Sequence, residues 1–273
     1  MTDRIQSIFI SHGAPTFALE PGAPGEALSA TGKRLLAQGT QALIVLSPHW
    51  RSSGLEVSTH EAPVVVHDFY GFPAPLYKLK PEISGAPRLA EAAIDALNTA
   101  GFHAKAHAQQ GFDHGAWVPY MHLFPNGGPR MIQVSMPIDM DNQSAYALGK
   151  QLGMFAQQHH AVVVGSGSLT HNFNDMDLGD RLGSRAEPDN DELAYVRQFT
   201  TWITHQLTSG HDEAVLKSAD LAPGFLRAHP DDDHFLPLPF AMGAASAKRQ
   251  VHALPEDVRY RALSMQSFVF SSH

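Results

Sequence analysis

Leu43-Ile44-Val45-Leu46-Ser47-Pro48-His49-Trp50 is the stretch on which the reading of this chain turns. An unbroken apolar run of this length fits a strand buried on both faces, because a strand with one wet face alternates. The run ends in a small residue, a proline and a histidine. The same layout recurs where Ile8-Phe9-Ile10 leads to Ser11-His12-Gly13, and where Val162-Val163-Val164 leads to Gly165-Ser166-Gly167-Ser168-Leu169-Thr170-His171-Asn172. Between such runs lie longer amphipathic stretches, which is the alternation of a βα protein. Strands are expected at Ser7–Ile10, Ala42–Leu46, Leu55–Thr59, His103–His107, Met131–Ser135, Ala161–Val164 and Ser267–Phe270. Helices are expected at Pro87–Thr99, with Pro87 in the first turn and Gly101 beyond the end, at Ser144–Gln158, at Asp189–Leu207 and at Leu236–Ala247. The stretches Glu61–Lys80 and Leu178–Pro188 read as long ordered loops, of the kind that often carry function. With no internal repeat or linker, residues 1–273 are expected to form one α/β domain. Its central sheet is mixed and largely parallel, with helices on both faces.

Composition narrows the partners. The chain has 27 Asp and Glu against 19 Lys and Arg, a formal charge of −8, and no basic stripe. That argues against nucleic acid or an anionic membrane, both of which need a basic face. There is no Cys among 273 residues, so a transition metal would have to use His, Asp or Glu. The N-terminus has no signal-peptide core and no stretch reaches the length of a membrane span. A soluble cytoplasmic protein is expected.

The 17 histidines are unevenly placed. In an open α/β sheet, ligands bind in the crevice at the carboxyl ends of the strands, and His12, His49 and His171 all follow strand-like runs. Imidazoles gathered there hold a metal or move protons near neutral pH. Taken singly, His12 and His49 read equally as core-edge histidines bonded to backbone. His234 follows the acidic turn Asp231-Asp232-Asp233, whose carboxylates also read as helix caps and first-turn anions. His229 reads either as another ligand or as a loop residue. His114 and His171 stand beside Asp113 and Asn172, and an Asp near a His can fix its tautomer. Gly165-Ser166-Gly167-Ser168 lacks both the lysine of a phosphate loop and the register of a nucleophile elbow; it reads as a tight turn. His67, Phe69, Tyr70 and Phe72 form an aromatic loop suited to walling a planar substrate or to pinning the loop itself. His159, His160, His205, His211 and His252 read as solvated.

Taken in order, Ser11-His12-Gly13-Ala14-Pro15, Ser47-Pro48-His49-Trp50, His67-Asp68-Phe69-Tyr70-Gly71-Phe72-Pro73, Gly111-Phe112-Asp113-His114-Gly115-Ala116-Trp117, Gly165–Asn172 and His234-Phe235-Leu236-Pro237-Leu238 carry a family likeness. The closing Ala262–Phe268 completes it. The chain resembles the 4,5-DOPA extradiol dioxygenase family, within the class III (LigB-like) extradiol ring-cleavage dioxygenases. The resemblance implies His12, His49 and His234 as metal ligands, His171 as acid/base and His114 as a substrate- or oxygen-side histidine. It also implies His67, Phe69, Tyr70 and Phe72 against the substrate ring. The partners implied are a catechol and dioxygen, the product a ring-opened semialdehyde acid, the oligomeric state monomer or homodimer.

The implied cofactor is one divalent metal per chain. Members of this family are described with zinc, whereas better-known class III relatives hold ferrous iron through two His and a Glu. Three imidazoles and an open position suit zinc, which outcompetes Fe(II) at most nitrogen sites. Zinc is redox-inert, so the expectation is zinc in the isolated protein and Fe(II) as the active ion. One departure is informative. Many relatives carry Tyr-Pro-Ala-Pro-Gly after the aromatic loop, where this chain has Lys80-Pro81-Glu82-Ile83-Ser84-Gly85; the change reshapes the pocket wall and leaves the metal site alone. The rival readings are a zinc hydrolase on the same scaffold and a non-enzymatic metal-binding protein.

Overall fold

The computed structural model describes residues 3–176 and 192–272. The loop expected at Leu178–Pro188 and the start of the helix expected from Asp189 lie outside them. The strands are β1 (Ile5–Ser11), β2 (Ala42–Ser52), β3 (Glu56–Ser58), β4 (Lys105–His107), β5 (Arg130–Pro137), β6 (Ala161–Gly167), β7 (Gln250–Ala253), β8 (Val258–Arg259), β9 (Leu263–Ser264) and β10 (Phe268–Ser271). The helices are α1 (Gly22–Ala37), α2 (Pro87–Thr99), α3 (His114–Leu123), α4 (Asn142–Gln158), α5 (Ala194–Thr208), α6 (Asp212–Leu216), α7 (Ser218–Leu221), α8 (Phe225–Ala228) and α9 (Pro237–Ala244). Eight strands form one sheet in the order β4-β3-β5-β2-β6-β1-β10-β7, with β8 and β9 paired apart. The centre β5-β2-β6-β1 is parallel throughout. β3 runs antiparallel to β5, and β10 and β7 close the other side antiparallel. This is the mixed, largely parallel α/β fold read from the sequence.

Both faces of the central strands are dry, which is why their apolar runs are unbroken. Ile44, Leu46, Ile132, Val134 and Val163 pack beneath α2, α4 and α9. Leu43, Val45, Met131, Val162 and Val164 face the other way, onto Leu28 and Leu35 of α1 and Trp117 and Leu123 of α3. A third cluster joins Phe9, Phe268 and Phe270 to Val196, Phe199 and Ile203 of α5 and to Phe225 of α8. Burying each such side chain is worth about 1.5–3 kcal/mol. The end of β1 is pinned from far along the chain: Ser11 Oγ donates to the Gln266 carbonyl at 2.7 Å, and the Ser11 amide donates to Ser267 Oγ at 3.0 Å.

Four local expectations are corrected. His49 does not lie past a strand tip, because β2 continues to Ser52 through a bulge. Leu46 pairs with Val134 and Arg51 with Met136, so Ser47 to Trp50 together oppose Ser135. Bulges re-aim side chains at sheet edges and sites, and Pro48 has no amide to give to a ladder. Gly165-Ser166-Gly167 is not a tight turn either but the last part of β6. A Cβ on Gly165 or Gly167 would collide with the Pro237 or His234 carbonyl, so glycine there admits the chain segment that carries His234. The helix expected to Ala247 stops at Ala244, and β7 follows. The strand expected from His103 begins at Lys105, since His103 has φ 52°.

Helices α1 and α3 have no counterpart among the expected elements. α1 carries Gly22, Pro24, Gly25 and Gly32, which read as loop; Gly32 packs its bare Cα against the Leu123 carbonyl. α3 is buried nearly all round and contains Pro119, so it shows no amphipathic stripe. Elsewhere the local signals hold. Pro87 starts α2, and Asp141 and Ser144 cap α4 reciprocally at 2.8 Å.

Candidate metal centre

Two strands and one turn deliver histidines to a crevice at the carboxyl ends of the sheet. His12 follows β1, His49 sits on the bulge of β2, and His234 stands on the turn before α9, against Gly167 at the end of β6. Their Nε2 atoms converge: His49 Nε2 lies 3.2 Å from His12 Nε2 and 3.3 Å from His234 Nε2. The far nitrogens of His12 and His234 are hydrogen-bonded. His12 Nδ1 is 2.9 Å from Ser166 Oγ, which spends its own proton on the Gly115 carbonyl and must therefore accept. His234 Nδ1 donates to Asp233 Oδ1 at 2.7 Å. His49 Nδ1 lies 3.5 Å from Asp68 Oδ2.

These bonds fix the chemistry of the centre. With Nδ1 protonated on His12 and His234, both rings present Nε2 lone pairs toward His49, whose Nε2 can carry at most one proton. One proton cannot be aimed along both contacts, so at least one close pair of nitrogens has no proper hydrogen bond, an arrangement that a cation resolves. Imidazole nitrogens about 2.0–2.1 Å from a tetrahedral zinc are roughly 3.3–3.4 Å apart, which matches the spacing here. The three residues thus fit a divalent metal. Burial, reinforced by neighbouring imidazoles, holds His12 and His234 well below the usual imidazole range and lowers His49 to about 3. All three are neutral at physiological pH, as ligation requires.

His114 and His171 flank this group. The His114 ring stands 4.0 Å from that of His49 and 5.3 Å from that of His12, centre to centre. His171 stacks on His234 at 3.6 Å, nearly parallel at 7°. Burial lowers His171 to about 4, against the pull of Asp233. Of the aromatic loop, Phe69 alone reaches the centre, edge-on to His114 at 5.6 Å and 89°. Phe72 packs on Phe69 at 5.4 Å. His67 turns into the loop's own cluster with Tyr77 and Trp117 and binds the Leu79 carbonyl at 3.0 Å. Tyr70 is 92 % exposed and touches none of this. The segment Lys80–Ser84 lines a cleft of about 550 Å³ with Ala62–Val65 and His67.

Residues 6–271 match the family described as the catalytic LigB subunit of aromatic ring-opening dioxygenase. The chain belongs to the LigB family. It is 32 % identical over 270 residues to a 4,5-DOPA dioxygenase extradiol of Beta vulgaris, covering 98 % of this chain and 97 % of that protein. A 4,5-DOPA dioxygenase extradiol of Escherichia coli K12 is 26 % identical, with 97 % and 94 % covered. The fold also superposes on the crystal structure of an uncharacterised Escherichia coli K12 protein with a TM-score of 0.71 at 20 % identity, covering 96 % and 98 % of the two chains.

Set against this LigB-family centre, some sequence signals point elsewhere. Asp113 does not serve His114. It caps α3 through the Ala116 amide at 3.2 Å, accepts from Ser47 Oγ at 2.8 Å and from Gln133 Nε2, and is pushed up to about 6 by burial and by Asp68. The carboxylate on His114 is Asp68, 46 residues away, which nothing local announces. Adjacent Asp233 does face His234, because its carboxylate also takes the His234 amide at 2.6 Å. Asp231 and Asp232 do not cap α9, whose N-cap residue is Leu236. His229 is no ligand; it donates to the Leu169 carbonyl at 2.9 Å inside an aromatic cage. Phe173, edge-on to His171 at 4.6 Å and largely exposed, was not anticipated.

Proposed function

We propose that this protein is an extradiol dioxygenase that binds a catechol at one divalent metal held by His12, His49 and His234. It opens the ring beside the vicinal diol, incorporating both atoms of O2 to give a semialdehyde acid. The observation that carries the assignment of ligands is the convergence of three Nε2 atoms at 3.2 and 3.3 Å with the far nitrogens of His12 and His234 tied. Membership of the LigB family supplies the reaction class. When bound, a divalent metal favours the deprotonated diol, and Fe(II), unlike redox-inert zinc, can also pass an electron to dioxygen. We accordingly propose zinc in the isolated protein and Fe(II) for turnover, in a cytoplasmic enzyme.

The protein's own groups divide the remaining work. His171, kept neutral by burial, is free to accept a phenolic proton when the diol binds. His114 lines the opposite side, where it contacts the substrate oxygens or the oxygen-derived group. Phe69, backed by Phe72, offers its ring as the wall that stacks on the catechol and keeps water out. His67 and Tyr70 act through the loop, His67 by bonding Leu79 and Tyr70 from its exposed tip.

Metal-free protein reconstituted separately with Zn(II) and Fe(II) tests this reading through oxygen uptake and the yellow ring-opened product, over a panel of substituted catechols. Turnover is expected with Fe(II) alone. Equal turnover in iron-free zinc protein would overturn the metal assignment. Catechols that bind without consuming oxygen under either metal would instead support the hydrolase.

A further inference from the structure

One carboxylate joins the aromatic loop to the metal centre. We propose that Asp68 is a positioning residue that locks His114 in one rotamer and one tautomer, with Nδ1 protonated and Nε2 left as a hydrogen-bond acceptor beside the metal centre. Its two oxygens grip the same residue. Oδ2 is 2.9 Å from His114 Nδ1, and Oδ1 accepts the His114 backbone amide at 2.9 Å. An ionised carboxylate only accepts, so the Nδ1 proton belongs to His114, and in the neutral ring it is then Nε2 that carries the lone pair. Burial pushes Asp68 up, but the side-chain and backbone hydrogen bonds from His114 oppose it, and the group lies below the usual carboxylate range.

The surroundings make the grip stiff. His114 opens α3, where amides have no partner within the helix and a negative charge is favoured. Asp113 takes the Ala116 amide and Asp68 takes that of His114. Phe69, the next residue on the loop, closes edge-on against the same imidazole. Asp68 Oδ2 is also 3.5 Å from His49 Nδ1, so one oxygen lies beside both a metal-facing ring and its neighbour. Held in that tautomer, His114 has no proton on Nε2 to donate. Its partner must be a donor, and the hydroxyl of a catechol is one, whereas a bare oxygen anion is not. Resting on the dioxygenase reading, this directs His114 to the diol.

The test uses the full-length, zinc-saturated protein with 15N-labelled histidine, the His114 signals being identified by their loss in His114→Gln. Wild type is expected to show protonated Nδ1 and bare Nε2 at His114, and Asp68→Ala a mixture or the reverse tautomer. In Fe(II)-saturated protein, Asp68→Ala and Asp68→Asn are expected to lower kcat at least a hundredfold with the catechol KM within threefold, as loss of a tautomer-fixing carboxylate does elsewhere. Bare Nδ1 in wild type, an unchanged tautomer in Asp68→Ala, or kcat within threefold of wild type in both variants would overturn the proposal. Wild type that consumes no oxygen with any catechol refutes the dioxygenase reading instead, and the tautomer measurement still decides the role of Asp68.

Discussion

His229 gives the protein an acid sensitivity that can be isolated. It is 2 % exposed, with Nε2 donating to the Leu169 carbonyl at 2.9 Å, Nδ1 without a partner, and Phe199, Phe225 and Phe235 around it at 5.6, 5.5 and 5.2 Å. Burial outweighs the carbonyl bond and lowers it from 6.5 to about 3. A desolvated cation over phenyl rings gains about 2 kcal/mol, less than the shift implies at 1.36 kcal/mol per pH unit. The unfolded chain therefore binds a proton that the folded one refuses between pH 6.5 and about 3, and stability falls as the pH drops through that window. At pH 5 the loss is about 2 kcal/mol, roughly a thirtyfold change in the unfolding constant. His229→Gln keeps a donor for the Leu169 carbonyl and removes the titration. Urea unfolding at pH 7.5 and 5.0, with excess chelator, should show wild type losing about 2 kcal/mol more than the variant over that interval. Equal losses would refute the reasoning, whatever the two absolute stabilities.

Other outcomes follow from the same geometry. Asp113 behaves oppositely: raised to about 6 by burial, its folded form holds a proton that the unfolded one has shed, so its contribution improves as pH falls from 6 toward 3.8. Asp113→Asn should therefore lose about 1 kcal/mol more than wild type between pH 7.5 and 5.0 in the same unfolding assay. His171→Ala should keep its metal, measured by elemental analysis, and lose turnover, while His12→Ala and His234→Ala lose the metal; a metal-free His171→Ala would reverse the roles. Gly167→Ala places a methyl against the His234 carbonyl and should weaken zinc binding at least tenfold in a chelator competition. Gly54→Ala, which meets nothing within 4 Å, should bind zinc as wild type does.

The sheet was legible because its central strands are dry on both faces and so appear as unbroken apolar runs at Leu43–Leu46 and Val162–Val164. Helix α3 was not, because burial on every side removes the periodicity that marks a helix. His12, His49 and His171 were visible by residue type and by their place after apolar runs, and His114 and His234 by residue type and the acidic residues before them. Their partners were hidden to different degrees. Asp233 adjoins its histidine, while Asp68 and Ser166 reach theirs across 46 and 154 residues, and no local pattern encodes such pairing. The bulge of β2 was hidden for a related reason: it shows only in the register of β2 against β5.

The tie between Ser11 and the Gln266-Ser267 pair bears on how the protein is made. It joins residues 255 and 256 apart in the chain, beside a centre whose His49 and His234 are 185 apart. Closing loops of that length is slow, and contacts so distant in sequence form late. On the ribosome, His12 and His49 emerge long before His234, Ser166 and the strand that buttresses β1. Until then a nascent chain offers two loose imidazoles and no cage, so the three rings come together only in the last stage of folding, after synthesis is nearly finished. On the metal assignment proposed above, the ion would act as a clasp on a completed sheet, and a chain halted before His234 would have no centre to fasten.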